Sequence, residues 1–337
     1  MLSSSRRRFL KAGTIATAAG LTGLAGCLGG DSNNTLRFNY VVPIENFGSL
    51  LDIPEIQDEM DSLGETYELE VSHDASTPDT VNAMAADQAD MGMVTIASFG
   101  NAIVSDAVPG GITAIATDFW DAHPDHFAVP VYSLPDSDIT GPEDLEGATL
   151  AVNALGTGIH AVYQKMLTEV GLDPEEDVEF VEQSFPTFIS GLEDDIFDAA
   201  IFPALFAVTA RNNDFTQVFT SRDAFGEELH PYPFTFTAAS GTALDEKENE
   251  IQAWVEDFQG VFEYVQENRD EVVSIAAEHF ELPEDQVDEF FMTEYGYYRD
   301  FENDTDAIQG IMDELYELDI LEDQFDAEAH ATNEYLS

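Results

Sequence analysis

Met84-Ala85-Ala86-Asp87-Gln88-Ala89-Asp90-Met91-Gly92-Met93 and, later in the chain, Leu192-Glu193-Asp194-Asp195-Ile196-Phe197-Asp198-Ala199-Ala200-Ile201 share one plan. Each closes a helix, turns, places an aspartate and enters a short apolar run of the kind that fills a buried strand. Helix–turn–strand recurs in any α/β protein, so the weight of the echo comes from its spacing relative to two extended segments. These are Phe127-Ala128-Val129-Pro130-Val131-Tyr132-Ser133 and Pro231-Tyr232-Pro233-Phe234-Thr235-Phe236-Thr237-Ala238. They read as crossings between two lobes, the first of residues 35–128 with 238–337 and the second of residues 129–237.

Around the first copy, Leu36–Val42 alternates like a strand and is ended by Pro43. A helix near Ile53–Leu63, a strand at Tyr67–Val71, a helix over Pro78–Asp87, the strand Met91–Thr95, a helix around Phe99–Ala107 and a strand at Ile112–Ala116 follow. Around the second copy, the strands Ala148–Val152, Val178–Val181 and Ala199–Phe202 alternate with helices from Gly158 to Val170, over Phe188–Asp194 and over Pro203–Arg211. This alternation predicts an α/β fold with parallel sheets. Beyond the second crossing the pattern turns helical, at Glu248–Glu267, Asp270–Phe280, Pro283–Phe291 and Asp304–Leu318.

The 337 residues include 11 Lys and Arg against 68 Asp and Glu, for a net charge of −57. With 44% hydrophobic and 11% aromatic residues, the chain is no disordered acidic tail. The acids are spread among apolar residues. In dilute buffer such self-repulsion strains a compact fold, whereas at 1 M salt the screening length is only ~3 Å. A salt-adapted surface, as in an extreme halophile, is the leading explanation, and a binding face for a basic partner is the alternative. Nucleic-acid binding is excluded, because no basic patch is present to neutralise phosphates.

At the N-terminus, Ser5-Arg6-Arg7-Arg8-Phe9-Leu10-Lys11 precedes the small, apolar stretch Ala12 to Ala25 and then Leu24-Ala25-Gly26-Cys27. A basic segment, a short apolar segment and a small-residue site are the three parts of an export signal, and the apolar part is short of the ~20 residues that span a bilayer. Residues 1–26 therefore read as a signal peptide of the twin-arginine type with a lipobox, leaving a lipid on Cys27 and a polar tether over residues 27–34. The protein is expected at the outer face of the membrane. Cys27 is the only cysteine, so an intramolecular disulfide, thiol catalysis and cysteine-based metal centres are ruled out.

In open α/β sheets ligands bind beyond the carboxyl ends of the strands. Those ends carry Pro43-Ile44-Glu45-Asn46-Phe47, Thr95-Ile96-Ala97-Ser98, Asp118-Phe119-Trp120, Asn153-Ala154-Leu155-Gly156-Thr157, Gln183-Ser184-Phe185-Pro186 and Phe202-Pro203-Ala204. Aromatic faces mixed with neutral hydrogen-bonding groups suit a small-molecule cleft. Candidate ligand-binding residues are Asn46, Thr95, Ser98, Phe119, Gly156, Thr157, His160, Phe185, Phe202 and Pro203. Glycines at a helix start let a ligand approach unpaired N–H groups, which favour an anion; Thr157 equally suits a plain helix cap. No Gly-x-Ser-x-Gly, Walker loop or His-Glu-x-x-His occurs, so neither a catalytic residue nor a metal or other cofactor is expected.

The lipobox, Leu36-Arg37-Phe38-Asn39-Tyr40, Ala89-Asp90-Met91-Gly92-Met93, Asp144-Leu145-Glu146-Gly147-Ala148, Gly156-Thr157-Gly158-Ile159-His160 and Phe197-Asp198-Ala199-Ala200 occur in one order. That order resembles the solute-binding proteins of ABC importers, in the nitrate/sulfonate/taurine and thiamine-pyrimidine-precursor group, from about Leu36 to Leu336. The resemblance implies a two-lobed periplasmic-binding-protein type II fold that clamps a small solute and presents it to an ABC permease and its ATPase. It implies a monomer, no covalent chemistry, and a cleft holding Thr95, Ser98, Gly156, Thr157, His160 and the Phe202-Pro203 strand end. Phe202 stands where many relatives have Trp, and Leu145-Glu146-Gly147 lacks a Lys found there. Sulfonate, nitrate and a neutral heteroaromatic precursor all remain open as solutes. An enzyme on the same scaffold is the rival reading, although its pyrimidine-forming relatives use a cysteine-rich motif absent here. A ligand-sensing receptor subunit is the third.

Overall fold

The computed structural model describes residues 34–226 and 229–336. The export signal, Cys27 and nearly all of the tether lie outside the described residues. Among the described residues, ten strands form two five-stranded sheets. The first holds β1 (Thr35–Tyr40), β2 (Glu68–His73), β3 (Met91–Thr95), β4 (Ile112–Asp121) and β10 (Tyr232–Ser240), in the order β2-β1-β3-β10-β4. The second holds β5 (Pro130–Ser133), β6 (Thr149–Val152), β7 (Glu179–Glu182), β8 (Ala199–Ile201) and β9 (Thr216–Thr220), in the order β7-β6-β8-β5-β9. The two orders are one pattern. In each sheet the earliest of three parallel strands (β1, β6) sits between the next two, and a strand from outside that trio (β10, β5) runs antiparallel beside the last of them.

The echoing stretches occupy equivalent places in that pattern. Asp87 and Asp195 both adopt φ 54°, the left-handed conformation that ends a helix and that Asp tolerates better than most residues. The following N–H groups reach back alike, Gln88 to the Ala83 carbonyl at 2.8 Å and Ile196 to the Gly191 carbonyl at 2.9 Å. Asp90 and Asp198 then lock the neighbouring strand. Each carboxylate accepts from a backbone N–H, of Arg37 and Thr149 respectively, at 2.8 Å. The repeated sequence is thus a repeated splice between a helix and the third strand of a sheet.

Asp90 does more than Asp198. Its buried carboxylate also accepts from Arg37 Nε (3.0 Å), Arg37 Nη2 (2.8 Å) and Lys247 Nζ (2.8 Å). Burial alone raises its pKa, but the hydrogen bonds from Arg37 and Lys247 outweigh that and hold it below the usual carboxylate range. A depressed pKa adds stability above the unfolded-state value that is lost as the pH falls through the folded one. Asp90→Ala is expected to lower unfolding free energy by about 2 kcal/mol at neutral pH, read from the urea midpoint, and to flatten the acid limb of stability. An unchanged acid limb counts against this account.

Two expectations need correction. The sheets are mixed, because β10 and β5 run antiparallel to their neighbours. Of the segments read as crossings, the first becomes strand β5 at its far end and the second is strand β10 from Tyr232 onward. The helix expected near Ile53–Leu63 shrinks to a 3-10 turn, Phe47–Asp52, and one helical turn, Pro54–Gln57. The Ser62 N–H donates to the Asp257 carboxylate, which Tyr67 OH also reaches at 2.8 Å, so a long-range partner takes the backbone group a longer helix would use. Strand β9 had no counterpart in the sequence reading. The last helices, Glu248–Glu267, Arg269–His279, Glu284–Phe290 and Thr305–Glu317, fall where the apolar periodicity places them. Trp254 anchors the longest one against the first sheet, 5.3 Å from the Phe38 ring and 4.9 Å from that of Phe258. Among the described residues no helix is long and apolar enough to cross a membrane.

Candidate functional site

The carboxyl ends of β1, β3 and β6 converge on an internal cavity of about 40 Å³. Both sheets line it. Val41, Val42, Glu45 and Asn46 come from the loop after β1, and Thr77 and Thr95 from around β3. From the second sheet's side come Asn153, Thr157, Ile159, Phe185 and Pro203, while Phe119, Phe234, Thr235 and Tyr297 close the wall. A larger hollow of about 510 Å³ lies around Trp120, Tyr298 and the carboxylates Asp300, Glu302 and Asp304. No residue of the second sheet reaches that hollow, so we place the candidate site at the smaller cavity.

Hydrogen bonds stitch the cavity's two sides together. Gly158 N–H donates to Thr95 Oγ1 at 2.9 Å, Ser98 Oγ to the Gly156 carbonyl at 3.2 Å and Leu205 N–H to Glu45 Oε2 at 3.3 Å. Gly158 permits the closest approach, since its Cα lies where a side chain would strike Phe234 and Thr95. The arrangement is closed. A space this small holds roughly three water-sized groups, well under the ~300 Å³ of an ordinary ligand pocket, so a larger solute enters only if the sides part.

One wall is aromatic. Phe119 stacks on Tyr297 with centroids 3.9 Å apart, Phe234 lies 5.8 Å from Phe119, and Phe127 meets Tyr297 edge-on at 4.9 Å. The other wall carries Phe185, stacked on Phe206 at 5.7 Å. Flat faces on both sides are suited to sandwiching a flat or cationic group.

The polar floor is the loop after β1. Asn46 Oδ1 accepts from the N–H groups of Val41 (3.0 Å) and Val42 (2.8 Å), which fixes the loop's curve. Ile44 sits at φ 65°, a conformation that a β-branched residue adopts only when its surroundings impose it. Next to it Glu45 is 3% exposed and crosses to the second sheet, where its carboxyl meets the N-terminus of the Ala204–Asn212 helix. Burial pushes its pKa up to about 8, against the pull of the Leu205 N–H and of Arg299. Beneath it, Arg299 Nη1 pairs with Asp118 Oδ1 at 2.7 Å, and Arg299 Nη2 donates to the Glu45 carbonyl. Burial likewise raises Asp118 to about 6 despite Arg299.

A folded-state pKa above the unfolded one contributes stability that is complete at low pH and lost as pH rises through the folded value. Glu45→Gln should therefore erase much of the stability that the wild type loses between about pH 4.5 and 8, on the order of 5 kcal/mol for a shift of this size. Urea midpoints of both proteins at pH 5 and 8.5 check it, and parallel losses in the two would refute it.

Of the ten candidates named from sequence, Asn46, Thr95, Phe119, Thr157, Phe185 and Pro203 line the cavity. Ser98 and Gly156 line an adjoining opening. His160 and Phe202 line neither of these spaces. His160 packs edge-on against Phe180 at 4.7 Å, its Nδ1 accepts from Gly156 N–H, and burial pushes its pKa down to about 4. Phe202 is fully buried between Tyr132 and Phe188. Thr157 caps its helix, accepting from His160 N–H at 3.4 Å, while also facing the cavity. Glu45, Asn153, Phe234 and Tyr297 escaped the sequence reading as site residues. Glu45 had a signal, being the one acid between Val41 and Phe47, a stretch otherwise apolar apart from Asn46.

Two sheets of like order facing each other across a closed cavity, with a helical C-terminal region, make up the two-lobed periplasmic-binding-protein type II fold. Residues 65–272 match the NMT1/THI5-like family, and the chain belongs to it. No protein of curated function matches in sequence. Among solved structures the chain is similar to the alkanesulfonate-binding protein SsuA of Xanthomonas axonopodis pv. citri, bound to MOPS. The TM-score is 0.72 at 13% identity, over 89% of this chain and 98% of that one. The periplasmic aliphatic sulphonate-binding protein SsuA of Escherichia coli gives 0.68 at 14% identity, over 88% and 91%. The periplasmic nitrate-binding protein NrtA of Synechocystis PCC 6803 gives 0.67 at 11% identity, over 90% and 87%. At these identities the likeness is one of fold.

Proposed function

We propose that the chain is the extracytoplasmic solute-binding protein of an ABC importer, capturing a small solute between its lobes and handing it unchanged to a permease and its ATPase. The observation that carries this is the closed, aromatic-walled cavity to which both sheets contribute, held shut by hydrogen bonds between polar groups that water would satisfy equally well once the sides part. The relatives named for sulfonate and nitrate binding share the fold, and the family is the same as that read from sequence. No catalytic function is assigned. The first lobe division stays near residue 129, and we move the second from residue 237 to near residue 231, because all of β10, Tyr232–Ser240, is hydrogen-bonded in the first sheet.

The setting is also our reading. Ser5–Lys11 and Leu24–Cys27 support twin-arginine export and a lipid on Cys27, and the 68 acidic residues support a surface adapted to molar salt. The protein acts as a monomer. Thermal-shift screening of small solutes in multimolar KCl tests the capture role, because a bound solute raises Tm in step with its concentration over Kd. Turnover of a substrate with no solute-dependent shift would sink it. Cys27→Ser should move the protein from the membrane fraction to the medium; retention at the membrane would remove the lipid anchor from the account.

A further inference from the structure

We infer that the cleft selects a solute bringing nitrogen-borne hydrogen-bond donors to the Glu45 carboxyl, such as an amidine or a protonated amine, and that it discriminates against oxyanions. This rests on the cleft being the solute site.

The charge inventory points there first. No Lys, Arg or His lines the cavity, whereas Glu45 does. The basic side chains of the described residues are engaged elsewhere. Arg299 is on Asp118, Arg211 on Glu289, Lys165 on Glu169 and Glu314, Arg37 and Lys247 on Asp90, Arg269 on Asp288, and Arg222 on the His126 carbonyl. An oxyanion would find no cation to pair with.

The helix ends point the same way. Helix N-termini are the other common seat for an anion. At the Ala204–Asn212 helix that seat is taken by the chain's own Glu45, through Leu205 N–H and Ala204 N–H. At the Gly158–Glu169 helix, Gly158 N–H is given to Thr95 and His160 N–H to Thr157.

Of the polar atoms left over, one is an amide acceptor and the other a hydroxyl that can accept or donate. Asn153 Oδ1 and Thr235 Oγ1 line the cavity, buried and without a partner. A buried acceptor without a donor is costly, and a solute carrying N–H groups removes that cost. The aromatic walls add attraction for a cation over their faces. Because burial raises the Glu45 pKa to about 8, the carboxyl is largely protonated at pH 7 and a cation entering there displaces a proton.

Matched pairs test this: acetamidinium with acetate, and benzamidinium with benzoate, plus nitrate and methanesulfonate, each titrated into the full chain in multimolar KCl. Members of a pair have nearly the same shape and differ in whether the planar group donates or accepts. The amidinium members should raise Tm and release a proton at pH 7, seen as binding heats that follow the buffer's ionisation enthalpy. Glu45→Gln should weaken them about ten- to hundredfold. The inference is overturned if carboxylates, nitrate or methanesulfonate raise Tm as much, or if Glu45→Gln leaves amidinium affinity within twofold; the carrier role then stands. It is also overturned if none of these probes raises Tm. The carrier role is then judged separately, by whether a dialysable extract of the host's medium raises it.

Discussion

Gly158→Val leaves both lobes folded and holds them apart. A Cβ at this position would lie 2.9 Å from Phe234 Cζ and 3.0 Å from Thr95 Cβ. Thr95 Cβ is fixed to strand β3, and Phe234 is braced by Phe119, so neither has room to retreat. The closed form also loses the Gly158 N–H bond to Thr95 and, with it, the register that lets Ser98 reach Gly156. Overpacking and one lost hydrogen bond together disfavour closure by about 3 kcal/mol, or roughly a hundredfold in solute affinity. Gly158 opens its helix and faces the other lobe, so the urea midpoint should barely move. Small-angle scattering should show a larger radius of gyration than the wild type's. An unchanged profile with unchanged affinity would mean that the Gly158–Thr95 contact does not control closure.

Arg299→Met should be the most destabilising single change near the site. The Arg299 and Asp118 side chains are 7% and 0% exposed, and removing one partner leaves a carboxylate stranded under the floor. Its other oxygen, Oδ2, already has no partner. Breaking such a pair from one side costs about 3–5 kcal/mol, a large share of the 5–15 kcal/mol that holds a typical domain together. Without Arg299 the Asp118 pKa rises further above its wild-type value of about 6. The variant should therefore regain stability on acidification, since a raised folded pKa favours the fold at low pH and penalises it at high pH. Arg299→Met with Asp118→Asn should recover most of the loss, the neutral amide being cheaper to bury. Urea unfolding of the single and double variants at pH 5 and 8 decides the matter. A single variant within 1 kcal/mol of wild type, or a double variant no better than the single, would show that the pair is not a buried charge couple.

Sequence and structure agree where the controlling interactions are short in range. Asp87 and Asp195 end their helices by local backbone conformation, and Asp90 and Asp198 follow at a fixed offset, so the splice is visible in ten residues. The amphipathic Glu248–Glu267 helix is equally local, its apolar face repeating every turn. Where a distant partner intervenes the reading slips. Asp257 claims the Ser62 N–H and cuts short the helix expected there. The short strand β9 was missed although Thr216–Thr220 is rich in β-branched and aromatic residues, and its ladder to β5 fixes its place. Phe202, at a strand end, is a fully buried core residue, and His160, one turn into its helix, packs against Phe180 outside the cavity.

Composition, local periodicity and the ordered motifs were sufficient for the two-lobed α/β class and the family. Each of these depends on residues near one another in the chain or on totals over it. Which polar groups face the solute was decided in three dimensions. Glu45 reaches Leu205, Arg299 reaches Asp118, and Tyr297 stacks on Phe119 only because strands far apart in sequence end at one place. The Glu45 carboxyl differs from the chain's many solvated ones chiefly through desolvation, and desolvation is a property of the assembled cleft rather than of the residue.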